Sequence, residues 1–128
     1  LLKAKVGDTN LVKLSSILPP RCAEIQAYEL PKGSLVPLAY GALVCEDAGT
    51  VISASVAVGI PEDPEAAGLI MECAQIGGPQ GCERSVREMV QEGMETIRGV
   101  RIREIKSISA THTVQRVGAV FAAVVLCP

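Results

Sequence analysis

Two places in the sequence combine residue types that could do chemistry. The first is Ser15-Ser16, followed by Ile17, Leu18, Pro19 and Pro20. Pro19 holds Leu18 extended and Pro20 does the same to Pro19, so the backbone just past the serines is stiff. A stiff exit is what a strained peptide bond requires; the plain alternative is a solvated strand end or turn. The second is Glu72, the only charge between Glu65 and Glu83, within Gly68-Leu69-Ile70-Met71-Glu72-Cys73-Ala74. Strand alternation sets Glu72 on one face with Ile70 and Ala74, and Leu69, Met71 and Cys73 on the other, so both faces read as buried. A carboxyl so placed is expected to have a raised pKa and to stay protonated near neutrality, which suits a general acid. The plain alternative is a carboxylate paired with an arginine or exposed at a sheet edge.

Other chemistries lack their residues. His112 is the single histidine, so a His-rich metal site is excluded and a Ser-His-Asp triad would have to use that one ring, which reads better as a structural residue at a strand end. There is no G-x-x-x-x-G-K-[ST] or G-x-G-x-x-G motif, and Gly77-Gly78-Pro79 reads as a turn before a helix. The five cysteines, Cys22, Cys45, Cys73, Cys82 and Cys127, form no C-x-x-C pair, so neither a disulfide framework nor a zinc knuckle is expected and a reducing cytoplasm fits. No metal is expected. A net charge of -2 argues against a phosphate-backbone binder, and with Tyr28, Tyr40 and Phe121 as the only aromatics there are too few rings to stack on bases, so no nucleic acid is expected. The longest apolar run, 117–127, falls short of the roughly twenty residues of a spanning helix, so no membrane is expected either.

These residues need a frame to hold them. The 128 residues fit one domain, and 48% hydrophobic against 20% charged residues makes it globular. Apolar runs predict strands over 10–15, 35–45, 50–60, 67–76, 103–111 and 119–126. One helix is predicted over 83–98, where Val86, Met89, Val90, Gly93, Met94 and Ile97 recur at three and four residues and Gly99 makes a stop. Residues 1–6 read as the tail of a further helix, and a start at Leu1 without Met or signal pattern reads as a fragment or processed product. Residues 19–33, with three prolines, read as a long irregular connection. Small residues Ser53, Ala54, Ser55, Ala57 and Gly59 in one strand and Ala119, Ala122 and Ala123 in another let layers pack closely on both faces of a sheet. That favours a layered αββα arrangement over a barrel, with a thin core that predicts an oligomer.

The run Asn10-Leu11-Val12-Lys13-Leu14-Ser15-Ser16-Ile17-Leu18-Pro19-Pro20 resembles the processing segment of the archaeal-type pyruvoyl-dependent arginine decarboxylases. So do Leu30-Pro31-Lys32-Gly33-Ser34-Leu35-Val36-Pro37, Ala39-Tyr40-Gly41, Gly68-Leu69-Ile70-Met71-Glu72, Val86-Arg87-Glu88-Met89 and His112-Thr113-Val114, in order along nearly the whole chain. The resemblance implies a single α+β domain over 1–128, a four-layer αββα sandwich of the pyruvoyl-dependent histidine/arginine decarboxylase type. It implies a proenzyme that cuts itself into chains 1–15 and 16–128. The Ser16 hydroxyl attacks the Ser15 carbonyl to give an ester, elimination leaves a dehydroalanine, and hydrolysis yields a covalent pyruvoyl group at position 16. That ketone would form a Schiff base with the amine of arginine and act as electron sink for release of carbon dioxide, giving agmatine for polyamine synthesis, with no external cofactor. In the same comparison Glu72 matches the proton donor, Asn10 a residue used in self-processing, and Ile17 and Ile70 positions lining the substrate pocket.

The family's guanidinium-gripping acid lies upstream of the matched segment, and Asp8, the nearest acid, is not at its position. A decarboxylase of another basic amino acid, or a non-catalytic trimeric ligand-binding or regulatory paralogue, are the competing readings. Ser15, Ser16 and Glu72 together favour the enzyme. The family's trimer, with sites between subunits, suits a further expectation. On one straight strand Asn10 and Ser16 share a face but stand roughly 20 Å apart, so Asn10 would serve the serine of a neighbouring subunit.

Overall fold

In the computed structural model, residues 5–26 and 29–127 are described. Seven strands and one helix follow in order: β1 (Asn10–Lys13), β2 (Ile17–Leu18), β3 (Leu35–Cys45), β4 (Val51–Pro61), β5 (Gly68–Ile76), α1 (Pro79–Gln91), β6 (Ile102–Thr113) and β7 (Gly118–Val125). They make a mixed α+β sandwich of two sheets. The three-stranded sheet runs β1-β3-β7, with β1 parallel to β3 and β7 antiparallel to it. The four-stranded sheet runs β2-β5-β4-β6, antiparallel throughout.

β4 sits at the centre because its small side chains suit close packing on both sides. Ile52, Ala54 and Val56 point into the space between the sheets, where they meet Ala39 of β3, Ile70 of β5, and Val120 and Ala122 of β7. Ala57 points the other way, into a second core with Leu69 of β5 and Val86, Val90 and Met94 from the helical segment. Burying side chains such as Val86, Val90 and Met94 stabilises by roughly 1.5–3 kcal/mol each. The buried hydroxyls on β4 are satisfied: Ser53 Oγ donates to the Gly77 carbonyl at 2.6 Å, and Ser55 Oγ shares a hydrogen bond with Ser109 Oγ of β6 at 2.7 Å. Three layers, helix on sheet on sheet, are therefore in place among the described residues.

The helix begins at Pro79, four residues before the predicted start. Pro79 occupies the first turn, where its missing N–H has no partner to lose, so the Gly77-Gly78-Pro79 turn is the helix entry itself. The apolar spacing persists past α1 as a π-helical turn over Glu92–Ile97, in which the Arg98 N–H donates to the Gly93 carbonyl. Gly99 then takes φ 64°, a left-handed value that stops the helix where expected. No helix among the described residues is long and apolar enough to cross a membrane. Residues 1–4 of the expected N-terminal helix lie outside the described residues. Lys5 has φ 60° and Val6 is buried outside any helix, so the helix does not extend over these two. The connection over 19–33 carries no strand or helix among its described residues.

The largest departure from expectation concerns the first strand. Residues 10–15 read as one strand, but β1 stops at Lys13 and the chain crosses to the other sheet, where β2 pairs with β5 through Ile17↔Leu69 and Leu18↔Gly68. Two backbone hydrogen bonds make the crossing. The Leu14 N–H donates to the Leu38 carbonyl of β3, and the Ile70 N–H of β5 donates to the Ser16 carbonyl, each at 2.8 Å.

Candidate active site

The crossing at Leu14–Ser16 puts the serine pair at the edge where the two sheets meet. Ser15 is exposed, Ser16 half-buried, and Ser16 is fixed by its carbonyl on the Ile70 N–H. Continuing the β2–β5 register by one residue sets Ser16 opposite Ile70. In an antiparallel pair opposite residues share a face, so Ser16 lies on the face of Ile70 and Glu72. Glu72 is two residues along β5, roughly 7 Å from Ile70. Ile70 is buried on this face, whereas Ile17, opposite Leu69, is exposed on the other face of the sheet.

Glu72 faces the space between the sheets, as its alternation with Ile70 predicts, since its partner Val56 lies in the same inter-sheet core. The expected burial is corrected. The Glu72 side chain is 32% exposed, and its Oε1 is 2.6 Å from Lys13 Nζ at the end of β1. Burial is incomplete here because Glu72 reaches Lys13, whose own side chain is 52% exposed. Lys13 Nζ also lies 4.7 Å from the centre of the Tyr40 ring, which packs against Phe121 with centroids 5.2 Å apart. The hydrogen bond that Lys13 donates to Glu72, more than any other cause, raises the Lys13 pKa above its ordinary value. Gly41 brings the two sheets together at this point: a Cβ there would lie 2.8 Å from the Cys73 carbonyl oxygen, so only glycine lets β3 approach β5 this closely. Cys73 turns toward α1, where burial and then a hydrogen bond with Cys82 push its thiol up to about 11. It is therefore protonated at neutral pH and is no rival nucleophile.

Asn10 lies apart from this cluster. It opens β1 opposite Leu35, its Nδ2 donates to the Gly33 carbonyl at 2.9 Å, and it belongs to the three-stranded sheet while Ser16 faces the four-stranded one. The straight-strand estimate thus had the wrong premise, because the chain does bend between the two. Four residues of β1 still carry Asn10 about 10 Å beyond Lys13. Asp8 is exposed and lies 3.6 Å from Lys32. His112 lies near the end of β6, paired with Ile52 of β4.

Lys13 and Tyr40 are the participants that residue spacing alone did not single out. A hint existed in Lys13, the one charge in Leu11-Val12-Lys13-Leu14, placed just ahead of the serine pair.

Comparisons with known proteins bear on this arrangement. The family model described as pyruvoyl-dependent arginine decarboxylase matches residues 1–128. A pyruvoyl-dependent arginine decarboxylase of Methanococcus maripaludis (strain C7 / ATCC BAA-1331) is 47% identical over 98% of this chain and 76% of its own length. The Pyrococcus abyssi (strain GE5 / Orsay) protein of the same name is 42% identical over the whole chain and 82% of its own length. Among solved structures, pyruvoyl-dependent histidine decarboxylase at pH 8 superposes with a TM-score of 0.64 at 12% identity, covering 77% of this chain and 53% of that one. The chain thus spans about half of that structure, and the likeness shows the sandwich fold. With the whole sequence matched and these relatives 42% and 47% identical, the chain belongs to the pyruvoyl-dependent arginine decarboxylase family.

Proposed function

We propose that this chain is a carbon–carbon lyase that converts L-arginine to agmatine and carbon dioxide after cutting itself between Ser15 and Ser16. The observation that carries the proposal is the anchoring of Ser16 by the Ile70 N–H at 2.8 Å, with Glu72 two residues farther along the same strand. The surroundings fit a pyruvoyl group at position 16: the position is half-buried, its carbonyl is pinned, and Ile17 and Ile70 flank it. That group supplies an electron sink for loss of the substrate carboxylate.

The chain's own residues do the rest. Ser16 provides the hydroxyl and Ser15 the carbonyl for self-cleavage. Ile70 offers an apolar wall for the methylenes of arginine on the face of Ser16. Glu72 delivers a proton to the substrate α-carbon once carbon dioxide has left. No metal is called for in this scheme, and the cysteine usage suits a cytoplasmic enzyme. Measuring the intact mass of the purified protein tests the reading: two chains divided after Ser15 are expected, with carbon dioxide released from arginine, and a single uncut inactive chain contradicts it.

We further propose a trimer whose sites lie between subunits. Asn10 sits at the far end of β1 from Ser16, and its free amide hydrogen suits an oxyanion on a neighbouring chain. Leu35, which pairs with Asn10, is 73% exposed, an apolar side chain available to a contact. A head-to-tail contact that closes into a ring would set the Asn10 end of one β1 against the Ser16 of the next. Co-assembling Asn10→Ala with Ser16→Ala subunits is expected to restore processing in some mixed trimers, because an intact serine then meets an intact Asn10. No processing in mixed trimers would place Asn10 in its own chain's site.

A further inference from the structure

Lys13 ends β1 two residues before the proposed cut, and it is the group paired with Glu72. Tyr40 of β3 lies beneath the same ammonium, and Cys73, next along β5, turns away toward α1. A carboxylate gripped by a lysine is not free to face a substrate. The uncut chain thus holds its proposed acid against Lys13, at 2.6 Å.

Cutting alters the charge around Lys13. The bond from the Ser15 carbonyl carbon to the Ser16 nitrogen is exchanged for one to Ser16 Oγ. The Cβ–Oγ bond of Ser16 then breaks as its α-proton leaves, giving a Ser15 carboxylate and a dehydroalanine. Water replaces the nitrogen of that residue by oxygen and ammonia departs. Ordinary peptide hydrolysis would leave one carboxylate and one ammonium, but here the ammonium is lost. The site gains one negative charge with no positive counterpart. That charge lies two residues from Lys13, roughly 7 Å along extended chain, within reach of a lysine side chain. Leu14 is still anchored to Leu38, whereas Ser15 is exposed and becomes a chain end.

We propose that Lys13 is a positioning residue that grips Glu72 in the uncut chain and transfers to the new Ser15 carboxylate on cutting, leaving Glu72 free to face the substrate. The proposal rests on cleavage between Ser15 and Ser16. It makes activation of the acid a consequence of the same event that creates the pyruvoyl group.

The test is nitrogen NMR titration of the Lys13 amine, its signal identified by loss in Lys13→Gln. Wild-type protein and uncut Ser16→Ala are compared, each with Glu72 intact and as Glu72→Gln. The Lys13 and Glu72 side chains are 52% and 32% exposed, so the change removes a charge without opening a core. In the uncut background Glu72→Gln is expected to lower the Lys13 midpoint, because the hydrogen bond to Glu72 is the main cause that raises it. In the cut protein the same change is expected to move it much less. Equal displacement in cut and uncut proteins overturns the transfer, as does no displacement in either. A wild-type chain that stays whole overturns the cleavage reading and the transfer together, so the two failures are distinct.

Discussion

Ser16→Ala is expected to yield one uncut polypeptide without decarboxylase activity. The alanine keeps the backbone that pairs with β5, including the carbonyl held by the Ile70 N–H, so the sandwich should form unchanged. What is lost is the hydroxyl that attacks the Ser15 carbonyl, and with it any route to a ketone at position 16. The fall in turnover should be of at least about 10⁶-fold, the lower end of ordinary enzymic acceleration. A denaturing gel and the intact mass read the first result, and carbon dioxide release from arginine reads the second. A Ser16→Ala protein that still divides after Ser15 would end the assignment of Ser16 as the attacking group.

Glu72→Gln separates processing from turnover. Glutamine matches glutamate in size but has no carboxyl proton to deliver. The proposed cleavage would draw on Ser15, Ser16 and Asn10, so the variant is expected to divide normally by mass. Decarboxylation is expected to fall by about a hundredfold or more, the usual contribution of a positioned acid or base. Lys13 would lose its ionic partner at a half-exposed position, where such pairs contribute little to stability, so a gross folding defect is not expected. Wild-type turnover in a fully cut Glu72→Gln protein would leave Glu72 as a structural partner of Lys13 alone.

The layers were legible because their signals are local. Ile52, Ala54 and Val56 alternate with Ser53, Ser55 and Ala57, and the two sets do face the second sheet and the helix. The helix face could be read from Val86, Val90 and Met94, but its start was placed late because Pro79-Gln80-Gly81-Cys82 carries no amphipathic signal; the proline at the first turn marked it instead. The crossing at Leu14 was not legible. Residues 10–15 contain nothing to distinguish a strand that continues from one that changes sheets, and the choice is made by the carbonyl of Leu38 and the N–H of Ile70, both remote in sequence. Glu72 shows the same division. Its face followed from alternation, but its exposure and its pairing with a lysine 59 positions earlier depend on how the two sheets approach at Gly41.

The route of the chain through Leu14–Ser16 also bears on how the protein could be taken apart. Before cleavage this segment is the covalent tether between β1 and the four-stranded sheet, so a denatured chain carries β1 along and can rebuild the sandwich by itself. After the proposed cleavage β1 would be held by its four register pairs with β3 and by the Leu14 anchor. Once melted off, it must find its place by encounter with a separate molecule, without the high effective concentration that a tether supplies. The proposed self-cleavage would thus convert a fold that can be reached from one polymer into an assembly that depends on having been folded beforehand, and the cut protein would persist through the barrier to its unfolding more than through easy return.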